Sequence, residues 1–284
     1  MVIMERTTKS ALYLHALTPV HAGTGQASAS AIDLPIAREK ATGWPILPAT
    51  SIKGVLRAAV KDMMENDEEE SLFGSRNSSD PNGGRAGSLQ IGDARLLCFP
   101  VRSWKGVFAY ATCPLILRRL KRDFRDLGIP MPVQVDIPPV ENEQALTAED
   151  SLLIEANNKT LWLDDLELIS VQSPTVKEIA VGIAQAVFTD EAEHESFIKR
   201  FVILSDDVFD FLAEFATEVT ARIELNECTK TVKPGGLWYE EAIPAEAIFV
   251  APMLGARIPK LPATLQIGGN ESVGRGLCRV MVQP

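Results

Sequence analysis

The chain has 284 residues, 46% of them hydrophobic and 23% charged, which excludes wholesale disorder or a fibrous chain and allows a large core without disulfide staples. Its 28 basic and 38 acidic residues give a net charge of −10, against indiscriminate nucleic-acid binding, but the distribution is uneven: residues 141–245 carry −15 and the two ends together +5, enough for a local basic surface. No apolar run approaches the roughly 20 residues of a membrane span, no secretory leader is expected, and Cys98, Cys113, Cys228 and Cys278 are too scattered for paired metal knuckles, so a cytoplasmic protein with reduced thiols is expected.

Ala11–Thr18 alternates as a strand, and Pro19 closes it. The glycine-rich stretch HAGTGQASASAIDLPI follows. Thr50 or Ser51 is placed to cap a helix through Ile52, Val55, Leu56, Ala59, Val60 and Met63. MENDEEE and RNSSDPNGGRAGS then read as a polar, turn-rich linker. Strands are expected over Leu89–Phe99 and Val107–Thr112, and Pro114 suits the first position of a helix through LILRRLKRDFRDL. Leu152–Glu155 and Thr160–Leu168 read as a hairpin around Asn157-Asn158, followed by helices over about 175–188 and 193–216. Val219–Leu225 and Leu237–Glu241 flank CTKTVKPGG as a second hairpin, with Pro234-Gly235-Gly236 at its tip. Ala247–Met253, Thr264–Gln266 and Leu277–Val282 complete the strands. This order favours an α+β, ferredoxin-like sandwich with large insertions.

Six segments are candidates for chemistry. In His21-Ala22-Gly23-Thr24-Gly25 the glycines allow either a turn or a phosphate cradle; the third fingerprint glycine and the Walker lysine are missing, which excludes a nucleotide cofactor. Asp33, flanked by aliphatics in AIDLPI, reads as a proton-transfer or metal-holding carboxylate, or as an Asx turn before Pro35. Arg38, Glu39 and Lys40 form a solvated strand end or phosphate contacts. Lys53 and Arg57, four apart after Ser51, share a face at a helix start, where anions are favoured. Gly268, Gly269, Gly274 and Gly276 surround Arg275 in a loop suited to lie against a backbone-like ligand. Trp238 and Tyr239, beside Glu240 and Glu241, are core aromatics or wedges between bases. His15 and His194 sit in no motif and read as structural.

Taken in order, HAGTG…IDLPI…TGWPILPATSIKGVLR, GDARLLCFPVRSWKGVFAYATCPLILRRL, KTVKPGGLWYEEAIP and LQIGGNESVGRG resemble the backbone subunit of type III-B (Cmr) CRISPR effector complexes, within the RAMP superfamily. The resemblance is weakest over about 140–215. It implies a single domain over 1–284, with an RRM-like palm from about 1–140 and 246–284 and an inserted helical and thumb region over about 141–245. It also implies copies stacked head to tail on a CRISPR guide RNA, each cutting target RNA where its thumb enters the duplex. By position it makes Asp33 the cleavage carboxylate and a ligand for a divalent cation, Mg²⁺ or else Mn²⁺. His21 becomes the accompanying loop histidine, and Glu240 an accessory residue in a thumb matched at Lys230–Pro244. Ser51, Lys53 and Arg57 at the helix start, Gly268, Gly269 and Arg275 in the tail loop, and Trp238 in the thumb become RNA contacts. The implied partners are guide RNA, target RNA, further copies of the chain in a helical filament, the small helical subunit and the large polymerase/cyclase-like subunit, with no membrane. Two alternatives stay open: a non-catalytic guide-RNA scaffold, and a metal-free guide-processing ribonuclease.

Overall fold

A computed structural model describes residues 8–23, 32–75, 84–154, 159–258 and 261–283. Thr24–Ala31 of the glycine-rich stretch, residues 76–83 of the expected linker and the Asn157-Asn158 turn lie outside the described residues. Strand β1 (Thr8–Ala16) is buried at every residue from Ser10 onward, so both of its faces are covered, as in a central strand of a layered fold. Next come β2 (Ile46–Leu47), α1 (Ala49–Val60), α2 (Asn66–Phe73), β3 (Leu89–Ile91), β4 (Ala94–Arg102), β5 (Phe108–Thr112) and α3 (Pro114–Leu127). The middle of the chain holds β6 (Gln144–Thr147), β7 (Thr160–Leu163), β8 (Leu166–Gln172), α4 (Pro174–Val187), α5 (Glu191–Arg200), β9 (Phe201–Leu204) and α6 (Asp206–Phe215). A hairpin of β10 (Glu218–Leu225) and β11 (Val232–Ala242) leads into β12 (Ile248–Gly255), β13 (Thr264–Gln266) and β14 (Leu277–Gln283).

Twelve of these strands form one mixed sheet in the order β13-β14-β1-β12-β4-β5-β9-β6-β8-β7, with β2 beside β4 and β3 beside β12. Pairing is antiparallel from β13 to β5, whereas β5–β9 and β6–β8 are parallel. Helix α4 packs across β1, β14, β9 and β6, and α1 lies by β13 and β3. Phe99, Phe197, Phe201, Phe209 and Phe249 fill the interior. His15 is buried there, its Nε2 3.0 Å from the Glu246 carboxylate, and His194 Nε2 meets the Phe188 carbonyl at 3.0 Å; both are structural. The four cysteines are free thiols, and only Cys228 is exposed. Among the described residues no helix is long and apolar enough to cross a membrane.

Several local expectations are corrected. Helix α1 starts at Ala49, before Thr50 and Ser51, and neither hydroxyl caps it; the Ala49 N–H donates instead to the Asp93 carboxylate at 2.8 Å. Part of the expected linker is α2. The single helix expected over 193–216 is interrupted by the fully buried β9, which pairs with β5 and β6. Ser205 then restarts the helix by accepting the Val208 N–H. The hairpin near 160 is β7–β8, turning at Asp164. In the β10–β11 hairpin the turn is Asn226–Lys230, where the Asn226 side chain accepts the Cys228 and Thr229 N–H groups. Pro234, Gly235 and Gly236 lie inside β11 instead.

Gly182 marks where α4 touches the rest of the core, because a Cβ there would sit 1.8 Å from the Pro132 carbonyl oxygen. The obstacle is backbone, so it cannot rotate away. Gly182→Ala is expected to destabilise the protein by about 2 kcal/mol or more, read as a fall in unfolding temperature with the far-UV spectrum unchanged.

Candidate functional site

An edge of strand β11 must place each of its N–H and C=O groups against a partner or water. On one side β11 pairs with β10, Tyr239 opposite Ala221 and Glu241 opposite Val219. On the other side the outward groups of Tyr239, Glu241 and Ile243 are all taken. The Tyr239 N–H donates to the Asp33 carboxylate at 2.8 Å, and the Tyr239 carbonyl accepts the Leu34 N–H at 3.1 Å. The Glu241 N–H donates to the Leu34 carbonyl at 3.0 Å, and the Glu241 carbonyl meets His21 Nδ1 at 2.7 Å. Ile243 exchanges both bonds with Val20 at 2.8 Å. Asp33 and His21, distant in sequence, therefore occupy slots two residues apart on one strand edge.

This geometry fixes the histidine tautomer. A carbonyl can only accept, so Nδ1 carries the proton and Nε2 holds the lone pair of the neutral ring. The ring lies between two glycines: a Cβ on Gly23 would reach Nε2 at 3.0 Å, and one on Gly269 would reach Cδ2 at 3.5 Å. Gly269 also donates its N–H to the His21 carbonyl at 2.9 Å. At Gly268, with φ +87°, a Cβ would stand 2.3 Å from that same oxygen, which no side chain tolerates. The glycines of the tail loop are needed for this close approach to the His21 backbone.

Glu240 faces the opposite side of β11 and is buried. It accepts Trp238 Nε1 at 2.9 Å, Asn270 Nδ2 at 3.0 Å and Arg222 Nε at 3.3 Å. Burial alone would raise its carboxyl, but the bonds from Trp238 and Arg222 outweigh that and hold it below the ordinary carboxylate value. Arg275, expected as a presented charge, is buried; it donates to Thr220 Oγ1 at 3.3 Å, while its Nη1 has no partner among the described residues. Tyr239, Leu237 and Ile223 make the outer face of the hairpin apolar and exposed.

The helix-start group separates from this cluster. Lys53, half-buried, donates to the Leu89 carbonyl at 3.0 Å, and Ser51 sits half-buried in the first turn of α1. Arg57 is corrected outright: its guanidinium is engaged at 2.5 Å with Glu69 of α2, a carboxylate only 1% exposed, so it is a structural cation. Arg38 and Glu39 are likewise committed. Arg38 bonds the Glu241 carboxylate and three carbonyls. Glu39 pairs with Arg119 through both oxygens. Among the described residues no group of three His, Cys, Asp or Glu side chains converges as a metal site. An apolar cavity of about 360 Å³ beneath α3, lined by Ile116, Leu120, Phe124 and Pro252 among others, includes none of Asp33, His21 and Glu240. Glu241, to which reading the sequence gave no role, joins His21 to the 33–36 segment. The available signal was strand alternation, which sends Glu240 and Glu241 to opposite faces.

The RAMP superfamily profile matches residues 13–279. The chain is 38% identical over 286 residues to the CRISPR system Cmr endoribonuclease Cmr4 of Pyrococcus furiosus, covering 95% of this chain and 94% of the relative. It is 23% identical to the CRISPR system CMR subunit Cmr4 of Saccharolobus solfataricus, covering 98% and 97%. The crystal structure of oligomeric Cmr4 from Pyrococcus furiosus superposes with a TM-score of 0.73 at 29% identity, over 97% of both chains.

Two stability tests follow from the ion pairs. The Arg119 guanidinium holds the Glu39 carboxyl down at about 2, against an ordinary value of 4.5. A depressed carboxylate contributes stability that is complete above its unfolded value and is lost as pH falls towards the folded one. Unfolding temperature is therefore expected to drop between about pH 5 and pH 2, and Arg119→Met is expected to flatten that part of the profile. Arg57→Met, which removes this guanidinium from Glu69, is expected to cost about 3 kcal/mol in denaturant titration, with the salt dependence of RNA binding unaltered.

Proposed function

The chain belongs to the RAMP superfamily, and from that premise we propose that it is the guide-RNA-binding backbone subunit of a type III-B (Cmr) CRISPR effector complex, an endoribonuclease that cleaves guide-paired target RNA at regular intervals. The observation that carries the cleavage reading is the seating of the exposed Asp33 carboxylate and the His21 ring on one edge of β11, at the base of the hairpin. The strand order β14-β1-β12-β4, antiparallel throughout, supports reading these four strands as an RRM-like palm; β13 and a short 3₁₀ turn stand where that fold carries its second helix. The palm takes in about 1–140 and 246–284, and 141–245 is the insertion, tied to the same sheet through β9 and ending in the β10–β11 thumb. Guide RNA, target RNA, further copies of the chain in a filament, the small helical subunit and the large polymerase/cyclase-like subunit are its partners, in the cytoplasm. The scaffold-only alternative has no observation in its favour, since the acid is present, exposed and oriented.

In this reading the thumb splays the guide–target duplex, and a flipped-out target nucleotide presents its 2′-hydroxyl to the adjacent phosphate. In-line attack forms the 2′-oxygen–phosphorus bond as the 5′-oxygen leaves, so no protein nucleophile is required. Asp33 orients the attacking hydroxyl and accepts its proton. His21, bound through Nδ1 to β11, shapes the loop around that carboxylate. One Asp33 oxygen is committed to Tyr239 and the group is exposed, so Asp33 would be the residue that holds a Mg²⁺ or Mn²⁺ ion. When bound, such an ion supplies charge neutralisation at the scissile phosphate. Lys53 is assigned to the guide backbone with Ser51 beside it, and the backbone of the Gly268-Gly269 loop, with Trp238, to the RNA-facing surface under the thumb; the buried Arg275 supports that loop from within through Thr220.

Asparagine can still accept the Tyr239 N–H, so Asp33→Asn is expected to assemble on guide and capture target normally, yet cleave at least about a hundredfold more slowly. His21→Ala is expected to lose less. Cutting at the wild-type rate by assembled Asp33→Asn complexes would leave only the scaffold reading. Lys53→Ala is expected to reduce the slope of log affinity against log salt by about 0.7–0.9; an unchanged slope would remove Lys53 from the RNA backbone.

A further inference from the structure

Among the described residues Asp33 makes one side-chain hydrogen bond, to the Tyr239 N–H, and it is exposed, so its direction is set by how the segment behind it is held. Leu34 is bound at both its N–H and its carbonyl to the edge of β11. The Ile36 N–H, in a residue only 2% exposed, donates to Glu241 Oε2 at 3.1 Å. The Ala37 N–H closes the segment onto the Ala22 carbonyl at 2.7 Å. Glu241 is itself 3% exposed, and a carboxylate so placed must have its oxygens satisfied. Its other oxygen accepts the Arg38 guanidinium at 2.5 Å and the Thr217 hydroxyl at 2.9 Å. Arg38 is immobilised in turn by the carbonyls of Gly43, Ala213 and Glu214. The backbone of the same glutamate holds Leu34 through its N–H and His21 through its carbonyl. One residue thus bonds the segment carrying Asp33, the His21 ring and Thr217 just past α6, and through Arg38 it is tied to the end of that helix.

We propose that Glu241 is a positioning residue of the cleavage site, its buried carboxylate fixing the Leu34–Ile36 segment on β11 and thereby aiming the Asp33 carboxylate at the scissile phosphate. This rests on the catalytic reading of Asp33 and extends it to a group that never meets RNA. Glu241 acts through backbone placement: its effect belongs to the rate of the chemical step and leaves guide and target binding alone.

The discriminating variant is Glu241→Gln. Its shape is retained, but its amide has one acceptor oxygen for two sets of donors, Ile36 on one side and Arg38 with Thr217 on the other. In complexes assembled on guide RNA, single-turnover cleavage at saturating target is expected to fall at least about tenfold, because misplacing a reacting group by a fraction of an ångström is enough for that. Target affinity is expected to stay within about twofold of wild type, the pattern of an interaction felt only in the transition state. In an Asp33→Asn background the same substitution is expected to slow cleavage no further, since the group it positions is already disabled. Glu241→Asp keeps the charge opposite Arg38 but retracts from the Ile36 N–H; it carries the same expectation and replaces Glu241→Gln should that chain fail to assemble. A wild-type rate in the folded variant, or an equal fold-loss with and without Asp33, would overturn the positioning role. If Asp33→Asn slows cleavage while Glu241→Gln does not, only the positioning proposal falls; if Asp33→Asn cuts normally, the catalytic reading falls and takes this proposal with it.

Discussion

The site is organised by the backbone of β11. At Tyr239 and Glu241 this strand pairs with β10 on one side, and on the other side its N–H and C=O groups, with those of Ile243 just past its end, still require hydrogen bonds. Backbone from Val20 and Leu34 fills four of the six positions, and the side chains of Asp33 and His21 fill the other two. The two candidate groups thus satisfy a structural need and a chemical one together. That makes their placement insensitive to the long loop between them, because each is referred to a fixed residue of the same strand.

The hairpin that begins there is divided by its pleat. Thr220, Arg222, Trp238 and Glu240 lie on one face, where Asn270 and Arg275 of the tail loop meet them. Ala221, Ile223, Leu237 and Tyr239 lie on the other, which is exposed. The polar face is joined to the sheet through Glu240, and Gly268 and Gly269 let the loop carrying Asn270 approach His21 without a side chain between. The base of the thumb and the candidate site are consequently joined by shared hydrogen bonds, while among the described residues β10 and β11 form a two-stranded sheet of their own.

Much of this arrangement was legible in the sequence, and the failures share a cause. Helix α3 was readable because Pro114 and the spacing of Leu117, Leu120 and Phe124 are local signals, and the mixing of strands with helices was visible in the element order, which left the strand order of the sheet open. Phe201–Leu204 was taken as helix because a short, wholly apolar run has no periodicity to tell a buried strand from a buried helix. Pro234-Gly235-Gly236 outweighed Asn226 as a turn signal, although the turn is made by the Asn226 side chain. Arg57 was placed with Lys53 on the strength of their shared helix face, because its partner Glu69 lay in a stretch read as linker. Asp33 and His21 were singled out by their segments and by the family resemblance, but that β11 is the edge on which both are seated is a tertiary fact with no local trace. Arg38 and Glu241 show the same limit: two residues 203 apart in the chain carry no sign of each other.

The pleat of the β10–β11 ribbon also constrains how its length can change. Adding or deleting a single residue in each strand would exchange the faces beyond that point, turning the positions of Arg222 and Trp238 outward and those of Ile223 and Leu237 towards the tail loop. Only changes of two residues per strand preserve the sidedness, and each such step alters the reach of the ribbon by about 7 Å. Thumb length is therefore quantised, and any fine adjustment of where its tip arrives must come from twist or from the irregular register between Ile223 and Leu225, where the two strands already fall out of step.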